Sequence, residues 1–225
     1  MNKSIFITGT DTDIGKTFVC VGLCLYLENL GLKVGYFKPF QSGAYIENSK
    51  KLAPDIEEIK KYSNNIETKY SYLLDGEISP YLASKLNCVE IDIEKVKNDL
   101  DEVKKNNDYT IIEGAGGLYC PAYKDNLFID VIDKLNQELI VVTKPDLGRI
   151  NHTLMTLECA KNRGIKVKGV IINSMPLIKD EAQKHFIEEL SAFSDVEILG
   201  IVPRMDKFSK GDIAGAFEFY KNFID

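Results

Sequence analysis

A glycine, a lysine and a threonine in succession, Gly15–Lys16–Thr17, close a stretch that reads GTDTDIGKT from Gly9. These residue types in this order suit phosphate. A glycine-bearing loop lets backbone N–H groups point at phosphate oxygens, and a helix that begins where the loop ends adds the favourable end of its dipole. Lys16 then reaches the β- and γ-phosphates of a nucleoside triphosphate, and the Thr17 hydroxyl is placed for Mg2+. The strict pattern G-x-x-x-x-G-K-[S/T] is not met, because Thr10 stands where its first glycine belongs and Gly9 comes one residue earlier. Context decides instead. An apolar run precedes the loop directly and a helix-like segment follows it, which disfavours a glycine turn with an incidental Lys-Thr pair.

Other groups of chemical interest are spread along the chain. Lys38–Gly43 reads KPFQSG and Glu113–Gly117 reads EGAGG. Glu113 ends an apolar run, where an unpaired carboxylate is costly unless a cation meets it. Leu147–His152 reads LGRINH at the start of a helix-like segment, Asn173 ends another apolar run, and Gly200–Met205 reads GIVPRM. His152 is read as structural, and His185 has no partner near it in sequence. The five cysteines form no CxxC pair and no zinc spacing. Cys20 and Cys24 would share a helix face, and they are read as small buried residues rather than metal ligands.

Positioning these groups requires strands and helices in alternation. Short apolar runs predict buried strands at Ser4–Thr8, Lys33–Phe37, Tyr109–Glu113, Leu139–Thr143, Val167–Asn173 and Glu197–Val202. Helices are expected over Thr17–Leu30, Pro54–Tyr62, Ile91–Lys105, Asn151–Asn162, Asp180–Ser191 and Gly215–Phe223, with Gly31 and Gly164 as C-terminal stops. The alternation predicts a single-domain α/β fold over residues 1–225, a mainly parallel sheet with helices on both faces. Gln41–Asn87 is the least regular stretch, and an excursion of that length is more often functional than idle. Three motifs fall just past strand C-termini, where open α/β sheets bind ligands.

The hydrophobic fraction of 44% and charged fraction of 28% are those of a soluble globular protein. The net charge of −6 disfavours nonspecific binding to nucleic acid or to an anionic membrane. No run reaches the roughly 20 apolar residues of a membrane span, and MNKSIFITG reads as a first strand rather than a secretory signal. A cytoplasmic protein is expected.

The motifs together resemble those of the dethiobiotin synthetases. GTDTDIGKT is similar to the family's phosphate loop, with Asp13 where many members carry Glu. KPFQSG is similar to its K-P-x-x-S-G, EGAGG and LGRINH have counterparts, and Asn173 with GIVPRM resembles its adenine end. The matches keep the family's order from Gly9 to Met205. The resemblance implies a P-loop NTPase-like fold and a homodimer. It also implies an ATP- and Mg2+-dependent ring closure of 7,8-diaminopelargonic acid with CO2, through a phosphorylated carbamate, in biotin synthesis.

The same resemblance implies roles. Lys16 and Lys38 are the catalytic cations that bring carbamate and γ-phosphate together. Thr17, Asp55 and Glu113 hold Mg2+ through hard oxygens. Asp55, which follows Pro54, serves equally well as an early-turn charge of a helix. The nucleotide contacts Asp13, Ile14, Gly15, Lys16, Thr17 and Phe18 in the loop, then Asp55, and then Glu113, Gly114, Ala115 and Gly116. Asn173 and Ser174, with Pro203, Arg204 and Met205, lie at the base, although Asn173 also suits a strand-end turn. Ser42, Leu147, Gly148 and Asn151 bind the substrate, and Ser79–Pro80–Tyr81 resembles a further substrate-side stretch.

Two other classes share this kind of fold. Partitioning-type ATPase switches carry a lysine five residues before the loop lysine, and here that position is Asp11. ATP-dependent amide ligases of the cobyrinic acid type need a glutamine-hydrolysing domain, for which 225 residues leave no obvious room.

Overall fold

The computed structural model describes residues 2–205 and 208–224. The first apolar run becomes β1 (Lys3–Gly9), and the phosphate loop joins it to α1 (Lys16–Asn29). The second becomes β2 (Val34–Glu47), which turns back through β3 (Lys50–Leu52) and leads into α2 (Pro54–Tyr62). Then follow β4 (Glu67–Asp75), α3 (Pro80–Leu86), α4 (Ile93–Asn106) and β5 (Tyr109–Glu113). A small ribbon of β6 (Pro121–Tyr123) and β7 (Asn126–Leu127) runs into α5 (Phe128–Lys134). The last third alternates β8 (Leu139–Thr143), α6 (Arg149–Asn162), β9 (Val167–Met175), α7 (Glu181–Phe193) and β10 (Ile198–Pro203). It closes with α8 (Lys210–Gly215) and a 3-10 turn, Glu218–Phe223.

The main sheet runs β10-β9-β8-β1-β5-β2, with β4 on the outer side of β2. All of these pairings are parallel; β3 pairs antiparallel with the far end of β2. The expected parallel α/β sheet is therefore present. Its central strands are covered on both faces, which is why β5 and β8 are buried at every residue and read as unbroken apolar runs. Successive side chains of a strand point to opposite faces. Ile5 and Ile7 accordingly join the core beneath α1, and Phe6 joins the core on the opposite face. α1 is apolar almost all round because it lies between the sheet and the C-terminal segment. There Phe217 fills the space at Gly22, where a Cβ would come within 1.9 Å of its ring.

Three expectations need correction. Gln41–Asn87 is well structured: it holds the end of β2, then β3, α2, β4 and α3. β4 pairs with β2 from Gly35 to Ala44 and so extends the second strand well beyond Phe37. Lys38–Gly43 thus lies within that strand rather than after it. Finally, Gly215–Phe223 is not one α-helix, since α8 ends at Gly215 and a 3-10 turn follows. The i, i+3 spacing of that turn sends Phe217 and Tyr220 into the core, where the Tyr220 and Tyr109 hydroxyls lie 2.8 Å apart.

Candidate active site

β1, β5 and β2 lie side by side, so their C-terminal ends bring three distant motifs together. Glu113 is level with Ile7 of β1, and Phe37 of β2 is level with Ile112. One residue further along, Lys38 comes beside Glu113.

The Lys38 ammonium donates to Glu113 Oε1 at 2.8 Å and to the Gly114 carbonyl at 3.0 Å, and it lies 2.6 Å from Asp55 Oδ2. Lys38 is only 4% exposed and Glu113 2%, so each charge is paired where water is scarce. Thr17 Oγ1 donates toward Glu113 Oε1 at 2.9 Å and is 3.1 Å from Asp55 Oδ1. Asp55 stands in the first turn of α2, whose start at Pro54 is fixed by proline's preference for that position. Two further side chains hold the carboxylates. Tyr36 O–H donates to Glu113 Oε2 at 2.8 Å, and the Asp55 backbone N–H donates to Gln41 Oε1 at 3.3 Å.

Burial by itself would lower the Lys38 ammonium, but the Glu113 and Asp55 carboxylates outweigh it and hold its pKa above the usual lysine value. Burial would raise the Asp55 carboxyl; Lys38, Thr17 and Gln41 pull it below the usual range. Lys16 goes the other way: burial and the nearby charge of Lys38 lower it.

The phosphate loop is held from several sides. Gly15 caps α1 at φ +85°, and a Cβ there would come within 2.1 Å of Asn173 Nδ2. That amide donates to the Ile14 carbonyl at 2.9 Å. Lys16 Nζ donates to the Asp11 carbonyl at 2.8 Å, Lys144 donates to the Asp13 carbonyl at 2.7 Å, and Arg149 pairs with the Asp11 carboxylate at 2.9 Å.

In front of these groups lies a cavity of about 900 Å³, lined by Thr12, Asp13 and Gly15–Thr17 of the loop, by Lys38 and Phe40–Gly43, and by Asp55, Glu113 and Gly116. A nucleotide-sized space meets paired lysines, a hydroxyl and two carboxylates at the C-terminal edge of a parallel sheet. That arrangement is suited to phosphoryl transfer.

A family model described as an AAA domain matches residues 3–211. The ATP-dependent dethiobiotin synthetase of Clostridium perfringens strain 13 is 35% identical over 221 residues, covering 95% of this chain and 96% of that protein. That of Methanococcus vannielii is 39% identical over 207 residues, covering 88% and 92%. The chain belongs to the dethiobiotin synthetase family. Among solved structures, the septum site-determining protein MinD of Pyrococcus horikoshii, complexed with Mg-ADP, aligns with a TM-score of 0.62. It is 18% identical and covers 98% of this chain and 88% of that one. A putative plasmid partition protein of Borrelia burgdorferi bound to AMPPNP also aligns at 0.62, with 14% identity and 98% of each chain covered. These two likenesses show a P-loop NTPase fold.

Within this dethiobiotin synthetase fold, Lys16, Lys38, Thr17, Asp55 and Glu113 are brought together with Asp13, Gly15, Ser42, Ala115 and Gly116 around one cavity. Ile14 is buried beneath the loop, and Phe18 packs edge-on against Phe208 at 5.4 Å. Gly114 supplies the carbonyl that Lys38 bonds. Asn173 and Ser174, with Pro203, Arg204 and Met205, lie at the neighbouring ends of β9 and β10, where the Arg204 N–H donates to the Met175 carbonyl. Leu147, Gly148 and Asn151 do not line the cavity; they are exposed at the start of α6, with Leu147 92% exposed.

Tyr36, Gln41 and the cavity residues Phe40, Tyr45, Glu77, Ile78 and Cys120 were not anticipated from sequence. Tyr36 carried a signal: it stands two residues before Lys38, on the same face of a strand.

Proposed function

We propose that this chain is a single-domain, cytoplasmic ligase that uses ATP and Mg2+ to close 7,8-diaminopelargonic acid and CO2 into the cyclic urea of dethiobiotin. The observation that carries this is the meeting of Lys38, Thr17, Asp55 and Glu113 with the phosphate loop in one cavity, in a chain of this family. A P-loop switch would need the loop but would leave Lys38 and Ser42, on the facing strand, without a task.

The donor set suits magnesium. The Thr17 hydroxyl of α1 has a carboxylate oxygen of Asp55 in α2 at 3.1 Å and one of Glu113 in β5 at 2.9 Å, all of them hard oxygens. Thr17, Asp55 and Glu113 would hold the ion, which when bound neutralises charge on the phosphate oxygens.

In the proposed course, one substrate amine adds CO2 and loses a proton, giving a carbamate. A carbamate oxygen attacks the γ-phosphorus, and ADP leaves. The second amine attacks the carbonyl carbon of the mixed anhydride and loses a proton as the ring closes and the C–O bond to phosphate breaks. Two anions have to meet in the second step, and fixed cations offset their repulsion. Lys16, at the start of α1, would hold the β- and γ-phosphates, and Lys38 would stabilise charge that develops on the transferring group and the carbamate. Ser42 would orient the amine end. Asn173 with Ser174, together with Pro203–Met205, would frame the adenine.

For the substrate's carboxylate we propose the start of α6, whose capping residue Gly148 supplies no side-chain hydrogen bond. Leu147 and Asn151 beside it are exposed, as a surface completing the site of a second copy in a homodimer would require.

Phosphate release from Mg-ATP, with the diamine, bicarbonate and Mg2+ omitted in turn, tests the reading. Release should need all three, and mass spectrometry should find a cyclic urea. Steady ATP turnover indifferent to diamine and bicarbonate would instead indicate a switch ATPase.

A further inference from the structure

Four carboxylates line the cavity: Asp13, Asp55, Glu77 and Glu113. Asp55 and Glu113 are held by Lys38, and Asp13 belongs to the phosphate loop. Glu77 belongs to neither group. It sits on the connection between β4 and α3, and its carboxylate makes no ion pair or hydrogen bond among the described residues.

Its place is nonetheless fixed. The Gly43 N–H donates to the Gly76 carbonyl at 2.8 Å, which ties the turn carrying Glu77 to the strand carrying Ser42. Gly43 is at φ +75°, and a Cβ there would come within 3.2 Å of Glu77 Cγ. The absence of a side chain at Gly43 leaves room for the Glu77 stem next to the residue that follows Ser42, on the wall of the same cavity.

A diamine brings cationic groups into this cavity, because aliphatic amines are protonated at neutral pH, as lysine is. The fixed cations Lys16 and Lys38 repel an ammonium, and two of the carboxylates already serve Lys38. We infer that Glu77 receives an ammonium group of the substrate next to Ser42 and so selects an amine-bearing substrate. This rests on the diamine reading above. The role is one of substrate positioning: the contact is a charge-assisted hydrogen bond, and the amine must still release its proton before it adds CO2.

The test is steady-state kinetics of wild type, Glu77→Gln and Glu77→Asp, with melting temperatures measured alongside. Glu77→Gln should raise KM for the diamine about five- to tenfold, at the low end for a charged hydrogen bond because Glu77 is exposed to solvent. KM for ATP should stay unchanged, and Glu77→Asp should recover part of the loss. A carboxylate beside an amine helps it keep its proton, so the acid limb of kcat against pH should move to lower pH in Glu77→Gln. An unchanged diamine KM and an unmoved limb, in a variant that melts like wild type, would overturn the inference alone. A parallel rise in both KM values would overturn it in favour of a structural role. Wild-type phosphate release that ignores the diamine would defeat the functional reading and this inference with it.

Discussion

Arg149 donates to the Asp11 carboxylate at 2.9 Å and so ties the first turn of α6 to the phosphate loop. The carbonyl of the same Asp11 accepts from Lys16 Nζ, so one residue links the guanidinium to the loop lysine. The Arg149 bond, helped by the Thr12 N–H, holds the Asp11 carboxyl below the usual range. Exposed ion pairs contribute little, about 0–1 kcal/mol, and salt screens them. Arg149→Ala should therefore weaken ATP binding by about fivefold at most, and the loss should shrink at high salt. ATP titrations at two ionic strengths check this; a large, salt-independent loss would mean that Arg149 touches the nucleotide.

Lys38→Ala should separate chemistry from binding. If Lys38 meets charge that develops during transfer, kcat should fall by roughly 10²–10³ while ATP affinity changes far less. Lys16→Ala should damage ATP binding as well. The Lys38 variant should also be less stable, by about 3–5 kcal/mol, because Glu113 stays buried without its cation. Near-normal kcat together with wild-type stability would reduce Lys38 to a bystander.

The same cluster sets a pH dependence. Asp55 has a folded pKa below its unfolded one, so its contribution to stability is present above about pH 4 and is lost as the pH falls through the folded value. Lys38 has a folded pKa above its unfolded one, so its contribution is present below about pH 10 and is lost as the pH rises through the folded value. In Lys38→Met, Asp55 loses its cation, and the acid loss should begin at higher pH. Urea midpoints followed across the acid range measure the shift. Superimposable acid limbs for wild type and variant would show that Lys38 does not set the Asp55 ionisation.

Gly15→Ala should be poorly tolerated for two independent reasons. The residue sits at φ +85°, and its new methyl group would meet Asn173 Nδ2 at 2.1 Å. Left-handed strain costs about 1–3 kcal/mol, and displacing Asn173 removes its bond to the Ile14 carbonyl as well. The expected outcome is a lower melting temperature, with nucleotide affinity reduced about fivefold or more as the loop shifts to relieve that strain. Asn173→Ala in the same background should restore some of the stability by opening space.

The parts of the molecule legible in the sequence were those with one dominant physical demand. β5 and β8 are buried on both faces, so their sequences are continuous apolar runs with matching ends. β4 went unread because most of its residues, ETKYSYLLD, stay partly exposed at the sheet's edge, and its polar positions resemble a loop. The phosphate loop was legible because its chemistry is local. Asp55 and Glu113 were placed with Thr17 only through resemblance, since spacing alone does not show that residues 58 positions apart share a hydroxyl. Glu77 gave no signal, as its position depends on a hydrogen bond between Gly43 and Gly76 that no motif records.

The strand order has a consequence for how the chain acquires its shape. β1, the first strand in this sequence, pairs with β5 and β8, more than 100 positions later. Until residue 113 is available the first strand lacks both neighbours, and until residue 143 it still lacks β8 on its other side. Such distant pairings make folding slow relative to helical domains of similar stability, because loop closure is disfavoured before any contact compensates for it. A nascent chain that ends before β5 would expose Ile5, Phe6 and Ile7, and would be the form most prone to aggregate.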